Sequence, residues 1–185
     1  MTLEYLSTQR TASRRPRAAL VALGLVVVVL VVIVGVFAWW NDSVRRNANV
    51  VLAAAFEDAD QRATAGQARV LSTLAYSYPM IWSTSVPDSV RAGLRAVVES
   101  SAHDVAEELR SVRADVVGVR ILPWQSAQEQ ARVQVLGLID AELARFDLMG
   151  RDATSIGLVM AGPEPSDAAA RESLSASGAD EVANR

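Results

Sequence analysis

The chain has 185 residues, enough for one compact domain once a membrane segment is subtracted. It contains no cysteine, which rules out a disulfide scaffold, a thiolate metal site and a cysteine nucleophile. All 18 basic residues are arginine, and the net charge of -3 divides unevenly: residues 1–17 carry four arginines against Glu4, while residues 41–185 carry 14 arginines against 20 acids. An acidic larger portion argues against nucleic acid as a partner, because phosphate binding needs a basic surface.

The first element is the run AALVALGLVVVVLVVIVGVFAWW, residues 18–40, which has 23 positions and no charge. As a helix it extends about 34 Å at 1.5 Å per residue, sufficient for a hydrocarbon core of about 30 Å. Valine is a mediocre helix former in water, but a backbone in lipid must satisfy its own N–H and C=O groups, so a lone span is helical. Arg10, Arg14, Arg15 and Arg17 precede the run and only Arg45 and Arg46 follow it closely. By the positive-inside rule residues 1–17 form a basic cytoplasmic tail, and Trp39 and Trp40 are anchors at the outer interface. The apolar run exceeds the 7 to 15 residues of a signal-peptide core and no A-x-A pattern follows it, so an uncleaved anchor is expected. The expected location is the plasma membrane, single-pass, with residues 41–150 forming an extracytoplasmic helical domain.

After the polar stretch Asn41–Asn47, where Asn41, Asp42 and Ser43 can break or recap a helix although nothing prevents it from continuing out of the span, residues Leu52, Phe56, Ala59, Ala63, Gly66, Val70 and Leu74 recur in steps of four and three. This predicts an amphipathic helix ending at Tyr78 and Pro79. A second helix is predicted from Pro87, with Asp88 at its positive end and a core stripe of Val90, Leu94, Val97, Ser101, Val105, Leu109 and Val112. The stretch DVVGVRILPW, from Asp115, reads as an extended connector able to carry a short strand. Ser126 stands three before Glu129, as a capping box requires, and opens a third helix with Val135, Ile139, Leu143 and Phe146 inward and Gly150 as a left-handed stop. Apart from the short apolar run Ile156–Met160, residues 151–185 are poor in large hydrophobics and read as a mostly disordered tail. The fold class is therefore all-α: one N-terminal transmembrane helix, an elongated antiparallel three-helix bundle, and a loose end.

Chemistry-bearing patterns are scarce. His103, the only histidine, has Glu99 four before it and Glu107 four after, a grouping that suits a metal or a proton shuttle but reads more simply as a solvated face. No G-x-S-x-G, S-x-x-K or Gly-rich phosphate loop occurs, so the chain is not read as an enzyme, and no cofactor or metal is assigned. Tyr78, Trp82 and Trp124 bring large aromatic surface to two turn regions, which an antiparallel bundle was expected to let meet as an interaction surface. The function expected is a membrane-anchored interaction or scaffold module for another envelope protein, with the bilayer as the other partner and a homo-oligomer compatible with the span. A ligand-sensing outer domain signalling through a separate partner is the second reading.

Overall fold

A computed structural model of the protein describes residues 15–154 and 156–179. Arg10 and Arg14 lie outside these residues. The described residues form five helices and no strand: α1 (Arg15–Ile81), α2 (Asp88–Val117), α3 (Ser126–Arg151), α4 (Ile156–Ala161) and α5 (Ala168–Ser177). The chain divides after Ser43 into two compact units, described in turn.

The first unit holds the apolar part of α1, whose most apolar 18-residue window has a mean hydropathy of 3.4 and no buried residue. This is the one helix among the described residues that is long and apolar enough to cross a membrane. Its large side chains, from Leu20 to Trp39, are uniformly open, with Val29 at 47% and Val21 at 71% exposure. A soluble protein rarely leaves a contiguous apolar surface of that extent facing water. Of the two courses open at Asn41–Asn47, the chain takes the continuous one, since these residues are helical. Asn, Asp and Ser each disfavour helix by only a few tenths of a kcal/mol, whereas starting a new helix requires a costly nucleus.

The second unit begins at Val44. The stripe anticipated for α1 is inward over most of its length: Leu52, Phe56, Ala59, Ala63 and Val70 are buried in the core and Leu74 packs against it. Pro79 does not stop α1. Trp82 N donates to Tyr78 O at 3.3 Å, so residues beyond the proline still bond backwards, and the ring forfeits only its own donor. Pro87 is the N-cap of α2, accepting from Val90 N at 3.0 Å and Arg91 N at 3.1 Å, so the helix proper opens one residue later than expected, at Asp88.

Along α2 the buried stripe is Val98, Ala102, Val105, Ala106, Leu109, Val112 and Val116. In the first half it is out of phase with the expected one: Val90 and Val97 face outward at 47% and 56% exposure, and Ser101 gives way to Ala102. The cause is the approach of α3. A Cβ on Gly150 would stand 3.5 Å from Glu99 O and 3.9 Å from Ala102 Cβ, so the backbones come close where α2 offers only an alanine. Gly150 is consequently a helical packing residue and not the left-handed stop anticipated, since α3 continues to Arg151. Ion pairs Arg110–Asp147 and Arg113–Asp140 bridge α2 and α3 with numbering that rises along one helix as it falls along the other.

The connector from Gly118 to Gln125 carries no strand. Val119 and Leu122 are buried in it, and Gln125 Oε1 accepts from Leu122 N at 3.1 Å, closing a turn in place of a ladder. The capping box does not form either. Gln125, not Ser126, is the N-cap of α3, and Glu129 instead bonds Arg132 at 2.7 Å. Val135, Ile139, Leu143 and Phe146 are buried as expected, joined by Ala131 and Met149.

The largest departure is in residues 151–179. Far from a loose tail, they supply Ala153, Ile156, Ala170, Leu174 and Ala179 to the core, with α5 packed on α3. Gly178, at φ 80°, is the one left-handed glycine among the described residues, and it closes α5 as Gly178 N bonds Ser175 O and Ala179 N bonds Leu174 O, both at 3.0 Å. Asn49 Nδ2 donates to Ser177 O at 3.0 Å and Gln128 Nε2 to the same oxygen at 3.2 Å, tying α1, α3 and α5 at a buried point. Removing Asn49's amide (Asn49→Ala) takes one donor from this buried carbonyl. Loosening by about 1–2 kcal/mol is expected, read as faster hydrogen exchange in α5 than in α2.

Candidate functional site

Trp82 lies just past the last turn of α1, 52% exposed, its ring tilted 54° against Tyr78 at 6.2 Å between centroids. The guanidinium of Arg95, one to two turns into α2, stands 6.0 Å from the Trp82 ring centre. Tyr78 is 55% and Tyr76 is 76% exposed. These residues gather because the α1–α2 connection is short and Pro87 starts α2 at once, folding Arg95 back beside the turn. Aromatic rings that stay open while packed at a tilt against each other and beside a cation offer apolar area already ordered for contact.

Trp124, 55% exposed, sits in the α2–α3 connector. It does not join Trp82. The two turns lie at opposite ends of α2, whose 30 residues extend about 45 Å, so the helix itself keeps them apart. Trp39 is exposed at 67% on the apolar part of α1, and Trp40 is half-buried with its ring 6.1 Å from that of Phe37. Arg15 and Arg17 fall on the first turn of α1.

The grouping around His103 comes apart. His103 Nε2 is 3.7 Å from Glu107 Oε1, with both side chains more than half exposed, while Glu107 also binds Arg110 at 2.7 Å. Glu99 turns to the chain after α3, where its Oε1 accepts from Ala153 N at 3.2 Å. No group of three metal-binding side chains forms among the described residues.

A feature with no signal in the sequence is a groove of about 310 Å³ between α1 and α3, bordered by the chain leading into α5. Ala59, Ala63 and Ile139 give it an apolar floor, and Asp60, Glu142, Glu164 and Asp167 line it with Arg145 as the one cation. Arg145 Nη1 binds both oxygens of Glu142, at 3.3 and 3.2 Å, and the two side chains are only 14% and 15% exposed. Burial pushes the Glu142 carboxyl above its ordinary range; Arg145 pulls it back, and Glu164 and Asp60 push it up again. Arg145 Nε and Nη2 are buried without an acceptor in the fold, so the pair is under-satisfied on its cationic side. The one sequence trace of this site is Glu142 and Arg145 at i, i+3, a spacing that by itself reads as an ordinary surface pair.

The chain matches no family model, no curated protein and no solved structure.

Proposed function

We propose that the protein is a membrane-anchored interaction module, held by the apolar part of α1 with its basic N-terminal side in the cytoplasm and its helical domain, an antiparallel bundle, outside the plasma membrane. The open Tyr78–Trp82 pair beside Arg95 carries this reading, because ordered aromatic surface flanked by arginine is the composition in which contact energy concentrates. Trp124, at the far end of α2, is a second and separate contact point. The partner is another envelope protein, and the bilayer is the other surface engaged. Photocrosslinkers placed at Trp82 and Trp124 in native membranes test this. Recovery of a discrete protein adduct is expected, and Trp82→Ala is expected to weaken its capture by about 30-fold, the effect of truncating a central aromatic. If neither position yields an adduct above that from exposed Val97, the reading fails.

The groove at Glu142 and Arg145 favours a second reading, an outer domain that senses a small ligand and signals through a separate membrane protein. A compound that raises the unfolding temperature of the intact protein, and loses that effect in Glu142→Gln, would favour it.

A further inference from the structure

Carboxylates from three separate parts of the chain converge on this groove: Asp60 from α1, Glu142 from α3, and Glu164 and Asp167 from the segment between α4 and α5. Among the side chains that line it, Arg145 alone is positive, and it is already engaged by Glu142. The segment that brings Glu164 is lightly held. Gln67 Nε2 reaches Glu164 Oε1 at the long distance of 3.5 Å, and Asp167 is turned to Arg171 at 2.5 Å. Beyond it, α5 is fixed by two core side chains, Ala170 and Leu174, by Arg171 over the Phe56 ring at 4.9 Å, and by Asn49 and Gln128 on Ser177 O. Pro163 and Pro165 stiffen the approach, so movement at Glu164 is transmitted to α5.

We propose that the segment from Gly162 to Gly178 is a proton-gated strap over the α1–α3 groove, loosened when Glu142 is ionised among its acidic neighbours and closed when Glu142 is neutral. With Glu142 charged, the descending strap carries negative charge toward Asp60 and a carboxylate removed from water, opposed by one arginine. With Glu142 neutral, Arg145 is freed to serve Asp60 and Glu164, and the repulsion falls. The sign follows from the raised Glu142 carboxyl: its stabilising contribution is complete below the ordinary glutamate value and is lost as pH rises through the higher folded value. Strap closure therefore strengthens on acidification, because for Glu142 the cost of burial outweighs its salt bridge to Arg145.

Hydrogen exchange on the full chain in lipid nanodiscs tests this, with rates corrected for the intrinsic pH dependence of amide exchange. Protection of Ala168–Ala179 is expected to be about threefold or more greater at pH 5 than at pH 8, while the middle of α2 shows no such change. In Glu142→Gln the protection is expected to be high at both pH values, and in Glu164→Gln the pH dependence is expected to shrink. Equal protection at pH 5 and pH 8 in the unaltered chain, or an undiminished pH dependence in Glu142→Gln, would overturn the proposal. Because α2 is read in the same samples, a general loss of folding registers as loss of protection there and is distinguished from strap opening.

Discussion

Gly66→Leu is expected to destabilise the helical unit by about 3 kcal/mol or more, and Gly66→Ala by about 1–2 kcal/mol. A Cβ built on Gly66 overlaps Val105 Cγ1 and stands 2.8 Å from its Cγ2. Val105 is wholly buried, and its β-branched side chain has one favoured rotamer in a helix, so it cannot turn aside. The two helices would have to part, opening the packing of Ala63, Val70 and Leu109 around them. Alanine is the milder change because it adds one methyl where leucine adds a branched chain, while either residue's better helix propensity returns up to about 1 kcal/mol. Val105→Ala in the Gly66→Ala background makes room for the added methyl, so the double variant is expected to lose less than the two single losses added together. Thermal unfolding of the intact protein in detergent, followed by circular dichroism, reads these differences at roughly 3–5 °C per kcal/mol for a unit of this size. Unchanged midpoints for both Gly66 variants would mean that α1 and α2 do not meet there.

The same glycine shows what the sequence makes legible. Steps of four and three place Gly66 on the stripe with Phe56 and Val70, because helical periodicity is a local property and a packed face needs only to be apolar or small. Local signals also locate the start of α2 to within a residue of Pro87, and the inner face of α3. What fails depends on partners distant in the chain. The slip from Val97 and Ser101 to Val98 and Ala102 follows from Gly150, some fifty residues later, pressing its backbone onto α2. Ser126 and Glu129 have the spacing of a capping box, yet Arg132 competes for the glutamate and Gln125 takes the cap position. Pro79 carries a real penalty against helix, limited here to one absent donor because α1 ends two residues later.

The groove and the strap were invisible for the same reason. Residues 168–179 hold few large hydrophobics, and composition alone reads them as unable to order themselves. Their stability comes from small side chains fitted against α3 and from Asn49, which lies 128 residues from the carbonyl it satisfies. Glu142 acquires its unusual environment only when the fold buries it, with Glu164 and Asp60 adding to the effect. The aromatic residues were legible as surface but not as an arrangement. Successive turns sit at opposite ends of the helix between them, which puts Trp82 and Trp124 at the two ends of α2, so one expected patch becomes two.

Two arginines in the apolar part of α1, Val28→Arg with Val31→Arg, are expected to convert the protein from one that resists alkaline extraction of membranes to one that is released. Each charge near the centre of a span costs about 2.5–3.5 kcal/mol, and no neighbouring acid lies in that stretch to offset it. Val28 and Val31 are 61% and 65% exposed with no protein packed on them, so the change acts through the surroundings of the helix and not through a core. Val97→Arg supplies the comparison, since Val97 is also more than half exposed but sits on α2 within the acidic unit. It is expected to leave membrane retention as it was. Fractionation with an antibody to the helical domain distinguishes the outcomes, and sequencing the N-terminus of the retained chain separates an uncleaved anchor from a processed leader. If the double arginine chain stays in the alkali-resistant pellet, the apolar face of α1 is not what holds the protein to lipid, and the anchored reading of the whole molecule falls with it.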